Sequence, residues 1–198
     1  MNKLPILLIA FLTAASALTS CGDDDDDLEG IKQWRRANDA WLAEMQAKKN
    51  PDGTPYYTVV VPIWDPGSFV LMHFFNERTK DPLALKPLYT STVDVRYRLS
   101  LYNGVACDSS TLLTENGPGI FRTELNGLIN GWAASVCEMN VGDTAEVIVP
   151  YGMGYGTTSS GSIPAFSNLK FNIRLADIYL YEKSPEKDPP TSGNTDYY

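Results

Sequence analysis

Hydrophobic and polar positions divide the 198-residue chain into blocks of different period. Residues 4–18 are almost wholly apolar, interrupted by Pro5, Thr13 and Ser16. Residues 28–49 contain no Pro, and their one Gly, Gly30, falls in the first turn. Leu28, Ile31, Trp34, Trp41, Leu42 and Met45 fall on one stripe of a 3.6-residue period, which predicts an amphipathic helix. Asn50-Pro51-Asp52-Gly53 predicts its end. A helix with two Trp on its apolar side must bury that side, either on its own domain or against a second copy or a partner. Residues 56–63 and 68–75, rich in Val, Ile, Phe and Tyr, flank Trp64-Asp65-Pro66-Gly67 and predict a β-hairpin. Residues 77–86 are polar, with Pro82 and Pro87 nearby, and predict a loop. From Thr92 the pattern predicts a strand over 92–101, a turn at Asn103-Gly104, a strand over 121–125 and a short helix over 129–139. A strand over 144–149, a glycine-rich loop over 151–162 and a closing strand over 169–181 follow. Five or six antiparallel strands with one short helix make the fold class α+β.

Composition sharpens this picture in three places. With 43% hydrophobic and 20% charged residues the chain is globular, one domain with appendages at this length. The formal charge of −8 argues against nucleic-acid binding, which requires a basic face. A single His, His73, excludes a His-cluster metal site and reads as a strand residue, and three Cys cannot build a disulfide framework. The charge is uneven. Asp23–Asp27 supply five of the 24 acids in one run, while residues 86–182 carry six basic and nine acidic groups. The tail over 183–198 is rich in Pro, Ser, Asp and Lys and is expected to be disordered.

The first block is a targeting signal. Lys3 precedes an apolar run too short to span a bilayer, which reads as a secretory signal peptide over 1–20. The run ends in Leu18-Thr19-Ser20-Cys21, which resembles the lipobox of bacterial lipoproteins. The resemblance implies cleavage before Cys21, lipid attachment to it, and a bacterial cell-envelope location, anchored to the outer membrane. Residues 21–27 are then expected to be an acidic tether, self-repelling and solvated. Acidic runs at this place also resemble the export signals of some surface-displayed lipoproteins. The run lacks the spaced ligands and Gly of a calcium loop.

Four stretches across residues 88–182 carry a second resemblance. They are Val95-Arg96-Tyr97 with Leu101, Gly104 and Asp108-Ser109-Ser110; Leu128-Ile129-Asn130-Gly131-Trp132; Met139 to Pro150 with Tyr155-Gly156; and Ile163-Pro164 with Leu169 to Leu175. In this order and near this spacing they resemble the FKBP-type peptidyl-prolyl cis-trans isomerases. The resemblance implies a twisted antiparallel sheet wrapped around a short helix, to which residues 28–87 add a helix and a hairpin, the hairpin a candidate extension of the sheet. It implies catalysis of X–Pro isomerisation on proline-containing polypeptides, with no cofactor and no metal.

That resemblance also assigns roles. Trp132 would floor a proline pocket walled by Tyr97, Phe121 and Phe171. Leu128 and Ile129 would stand beside it, the Ile129 N–H facing a substrate carbonyl. Asp108 would be the wall carboxylate, Tyr155 a hydroxyl donor on the loop, and Ile163 the residue closing it. The sequence departs from the family at Cys107 (usually Phe), at Arg98-Leu99 (usually Thr-Gly) and at Ala165 (usually Pro). An FKBP-like module that holds a polypeptide without useful turnover is therefore the alternative function. A surface protein working through its Trp helix and hairpin is a further rival. Cys107 and Cys137 are expected to be two buried thiols, their pairing left to geometry. The helix over 28–49 is a candidate homodimer contact.

Overall fold

The computed structural model describes residues 23–79 and 83–179. The leader with Cys21, and the tail over 183–198, lie outside the described residues.

Helix α1 (Asp23–Ala47) starts five residues before the apolar stripe, so the backbone of the acidic run forms its first turns. The stretch expected to act as a spacer is therefore helical. Asp is a weak helix former in an interior, but carboxylates are favoured at a helix N-terminus, where the peptide dipoles leave partial positive charge. Beyond Ala47 the Asn50–Gly53 turn closes with Gly53 at a φ of 86° and a Gly53 N–H donated to the Asn50 carbonyl. Strands β1 (Thr58–Val60) and β2 (Val70–Phe74) form the expected hairpin, Val59 opposite Leu71. Strands β3 (Thr92–Leu101), β4 (Ala106–Ser109) and β5 (Phe121–Glu124) follow. Helix α2 (Asn130–Val136), β6 (Thr144–Val149) and β7 (Leu169–Ile178) complete the fold.

All seven strands join one antiparallel sheet in the order β1-β2-β6-β7-β3-β4. The hairpin extends it through β2 on β6. Strand β5 shares the outer side of β3 with β4: it pairs with Thr92–Val95, and β4 pairs with Arg98–Ser100. The pairing of β3 with β4 shifts register so that Asp108 faces Leu99 while Ala106 faces Ser100. Cys107 is the extra residue of that bulge, a device that re-aims side chains at a sheet edge.

Side-chain alternation builds the core. On β3, Val93, Val95, Leu99 and Leu101 are buried, while Arg96 and Arg98 are exposed. The inner face packs on α2, which is buried from Gly131 to Val136. Seven residues cannot hold a helix by propensity, so this burial maintains it. Gly131 lets it sit close: a Cβ there would overlap Val149 Cγ1 and lie 2.9 Å from Cγ2. On the other face, Trp41, Leu42 and Met45 of α1 cover Tyr57, Leu71 and Ile148. The apolar side of α1 is thus docked on its own domain.

Docking continues toward the helix N-terminus through polar groups. Asn38 is fully buried. Its Oδ1 accepts the Asn168 N–H at 2.7 Å, and its carbonyl accepts Asn168 Nδ2 at 2.7 Å. Trp34 Nε1 donates to Ser167 Oγ at 3.1 Å. Arg35 lies 4.9 Å from the Phe166 ring and 5.9 Å from the Tyr151 ring. Phe166 holds a left-handed φ of 61°, an unusual conformation for a bulky residue. Helix α1 therefore grips the segment between β6 and β7 at both of its ends.

Candidate active site

A cleft of about 180 Å³ opens on the inner face of the sheet. Its lining comes from β3 (Tyr97, Leu99), β4 (Asp108), β5 (Phe121), the turn into α2 (Leu128, Ile129), α2 (Trp132), the loop after β6 (Tyr155) and β7 (Phe171). Tyr97 and Leu99 are two residues apart on a strand and so share a face. Phe171 is the register partner of Leu99, and Phe121 is the register partner of Val95.

The indole of Trp132 is 4% exposed. Three rings stand nearly perpendicular to it, each at 87°: Tyr97 at 5.3 Å, Phe171 at 5.6 Å and Phe121 at 6.4 Å between centroids. Edge-to-face packing of this kind fixes the rings and leaves a dry concave floor. The hydroxyl of Tyr97 donates to Asp108 Oδ2 at 2.6 Å, and the Ser109 N–H donates to Asp108 Oδ1 at 2.7 Å. Burial, reinforced by Asp108, pushes the Tyr97 phenol well above its ordinary range, so it remains a donor at any physiological pH. Two further donors line the cleft: the Ile129 N–H before α2 and the Tyr155 hydroxyl, neither with a hydrogen-bond partner among the described residues.

Eight of the nine residues named from the sequence line this one cleft. Ile163 is not in the lining: it is buried in the same core cluster as Trp132 and Phe171, and its N–H and carbonyl pair with Ser160. Leu99 was not among the named residues, although its place two residues after Tyr97 on an alternating strand is a legible signal. Cys107 sits on the bulge and lines a hollow beside β4, outside the cleft. Cys107 and Cys137 are free and half-buried, and burial raises the Cys137 thiol to about 11, far from a reactive thiolate. His73 stacks on Tyr56 at 3.8 Å, away from the cleft. No group of three His, Cys, Asp or Glu that could hold a metal ion occurs among the described residues.

Residues 85–176 match the family of FKBP-type peptidyl-prolyl cis-trans isomerases. Over 99 residues the chain is 31% identical to FK506-binding protein 2 of Dictyostelium discoideum, spanning 50% of this chain and 73% of that one. The chain belongs to the FKBP-type isomerase family. It is also 38% identical over 93 residues to the FKBP-type 22 kDa peptidyl-prolyl cis-trans isomerase of Escherichia coli, covering 46% of this chain and 43% of that relative. The chain thus spans less than half the length of this longer relative. In three dimensions it resembles the crystal structure of a peptidyl-prolyl cis-trans isomerase from Pseudomonas syringae pv. tomato, with a TM-score of 0.58 and 26% identity. That likeness covers 75% of this chain and 95% of the other, so it reaches beyond the matched residues into the extension. The FKBP fold, an antiparallel sheet around a short helix, is therefore the fold of this chain.

Proposed function

We propose that the chain is a peptidyl-prolyl cis-trans isomerase of the bacterial cell envelope, accelerating X–Pro isomerisation in folding polypeptides through its aromatic cleft and without a cofactor. The observation that carries this reading is the Trp132 floor with three perpendicular rings and free donors at its rim. An X–Pro bond isomerises slowly because twisting the amide forfeits resonance, a barrier of about 18–20 kcal/mol. No bond to the protein is required. A dry floor for the pyrrolidine ring removes water that favours the planar amide, and fixed donors hold the flanking carbonyls in the twisted geometry. Each ~1.4 kcal/mol of preference for the twisted form is worth a factor of ten in rate.

The test is cis–trans exchange of a short neutral X–Pro peptide followed by exchange spectroscopy. The full chain should accelerate exchange, and Trp132→Ala and Asp108→Val should each reduce the acceleration at least tenfold. Unaltered exchange with the wild type, or equal acceleration by the variants, refutes the reading. Leu99 stands in the lining where the family usually has Gly, a departure that favours the alternative of a module that holds proline segments without turnover. Peptide binding with no acceleration identifies that outcome.

The envelope location rests on the leader and on Cys21 as the lipid attachment site. Labelled palmitate should enter the wild type and not Cys21→Ser. Since α1 from Trp34 onward is engaged within the chain, a homodimer through this helix would have to use Leu28 and Ile31, both exposed.

A further inference from the structure

Helix α1 covers only the β2–β6 part of the outer sheet face. The rest of that face, over β3 and β7, carries Arg96, Arg98 and Arg174, all exposed. Arg96 and Arg174 are direct register partners, and Arg98 stands opposite Asn172. Like charges on adjacent cross-strand positions disfavour each other. The fold gives none of these three a carboxylate partner and relieves only Arg96. Arg96 donates to the Pro118 carbonyl from Nε at 3.3 Å and Nη2 at 3.1 Å. The side chains of Arg98 and Arg174 have no carboxylate partner and no hydrogen bond among the described residues. The other cations of this face are satisfied: Arg122 binds Asp94 through two contacts of 2.7 Å, and Lys170 binds Glu146 at 2.7 Å. In a chain with 24 acidic residues, three neighbouring arginines on one sheet face thus lack a carboxylate partner.

The triad lines a groove of about 610 Å³. Arg98, Thr111 and Asn172 also line the adjoining hollow of about 660 Å³, which runs along β4 to Cys107 and Asp108. Asp108 is in turn a wall of the aromatic cleft. Groove and cleft therefore meet at β4, the last strand of the sheet, around which an extended chain can pass.

We propose that the arginine groove receives an acidic segment of the same polypeptide whose prolyl bond occupies the cleft, making the protein selective for clients with Asp or Glu near the proline. The proposal rests on the isomerase reading. Guanidinium forks pair with carboxylates in planar, two-contact geometry, which suits an extended acidic segment. Facing layers across a sheet stand about 10 Å apart and an extended chain advances about 3.3 Å per residue, so the acids belong at least three residues from the proline. The net charge of the protein repels such a segment at long range, so the preference is local to the groove.

The experiment compares kcat/KM of the full chain on three X–Pro peptides: neutral, with three Glu placed three to five residues from the proline on either side, and with three Lys at the same places. At low salt the Glu peptide should exceed the neutral one about fivefold, and the Lys peptide should fall below it, as expected for a few exposed ion pairs. The preference should shrink below twofold at 0.5 M salt, where the screening length is about 4 Å. Arg98→Ala with Arg174→Ala should abolish it while leaving the neutral peptide unaffected, and Arg98→Lys with Arg174→Lys should retain most of it. Equal rates on the Glu and neutral peptides, or a preference that survives the double Ala variant, overturns the proposal. If no peptide is turned over, the isomerase reading fails, and fluorescence anisotropy of the labelled peptides decides the groove separately. Tighter binding of the Glu peptide, lost in the double Ala variant, sustains it. Binding of inorganic phosphate with no difference between peptides overturns it in favour of a small-anion site.

Discussion

Replacing Asn38 by Ala tests whether the extension holds the site together. The substitution removes Oδ1, the acceptor of the Asn168 N–H, and Nδ2, which donates to the Trp34 carbonyl at 3.0 Å. The two losses differ in weight. The Trp34 carbonyl retains the ordinary helical position for an N–H four residues on. The Asn168 amide, in a fully buried residue, has no alternative. A buried donor left unpaired costs about 1–3 kcal/mol, and the vacated amide volume adds to it. A total of about 2–3 kcal/mol corresponds to a fall of about 5–10 °C in Tm for a domain of this size. Asn168→Ala should cost a similar amount, since its side chain bonds the Asn38 carbonyl and accepts the Tyr151 N–H at 2.8 Å. The double variant should lose less than the sum, because once one bond is broken α1 is already loosened from the loop. Thermal unfolding with hydrogen exchange at the Asn168 and Tyr151 amides measures all three. Activity supplies the second readout: KM for an X–Pro peptide should rise more than kcat falls, since Tyr155 rides on the gripped loop. A Tm within 2 °C of the wild type, or strictly additive losses with unchanged KM, would refute this account of α1.

Three further outcomes follow from other contacts. Gly131→Ala should destabilise by about 1–3 kcal/mol through overpacking against Val149 and shift the Trp132 fluorescence, while adding Val149→Ala should restore much of both. Tyr97→Phe removes the bond to Asp108, which is exposed and re-solvates, so folding should lose only about 1 kcal/mol while kcat/KM falls several-fold in the exchange assay. Glu146 responds to acid. Burial alone would raise its carboxyl, but hydrogen bonds from Lys170 and from Tyr57 at 2.5 Å outweigh burial and hold it below the ordinary carboxylate range. Its contribution is therefore complete above the ordinary carboxylate range and lost as pH falls through the depressed value, so the Tm difference between wild type and Glu146→Gln should shrink progressively as pH is lowered below that range.

Much of this architecture was legible because its elements follow simple periods. Strand β3 alternates over ten residues and spans the residues its pattern predicts, and the cleft residues Tyr97, Phe171 and Trp132 are bulky side chains at inward positions. Three features were less visible. Strand β4, Ala-Cys-Asp-Ser, has no hydrophobic alternation, and its register depends on a bulge that only pairing reveals. The reach of α1 was hidden by its charge, since a run of five Asp reads as solvated coil until the helix dipole is considered. The Asn38–Asn168 pair was hidden too, because two residues 130 positions apart carry no local signal of a shared hydrogen bond. Ile163 is named by its motif position, and the structure buries it in the core cluster that also holds Trp132 and Phe171, outside the cleft lining.

Strand β2 has a practical consequence. It lies between β1 and β6, and Leu71 and Met72 are fully buried, yet the family match begins only at residue 85. A fragment trimmed to the recognisable residues would strip β6 of its neighbour and leave Ile148 uncovered, creating a bare apolar edge prone to self-association. For grafting this module onto another protein, the portable piece is set by the hydrogen-bonded sheet and its covering helix. The stretch that is inherited recognisably is shorter than the stretch that must travel.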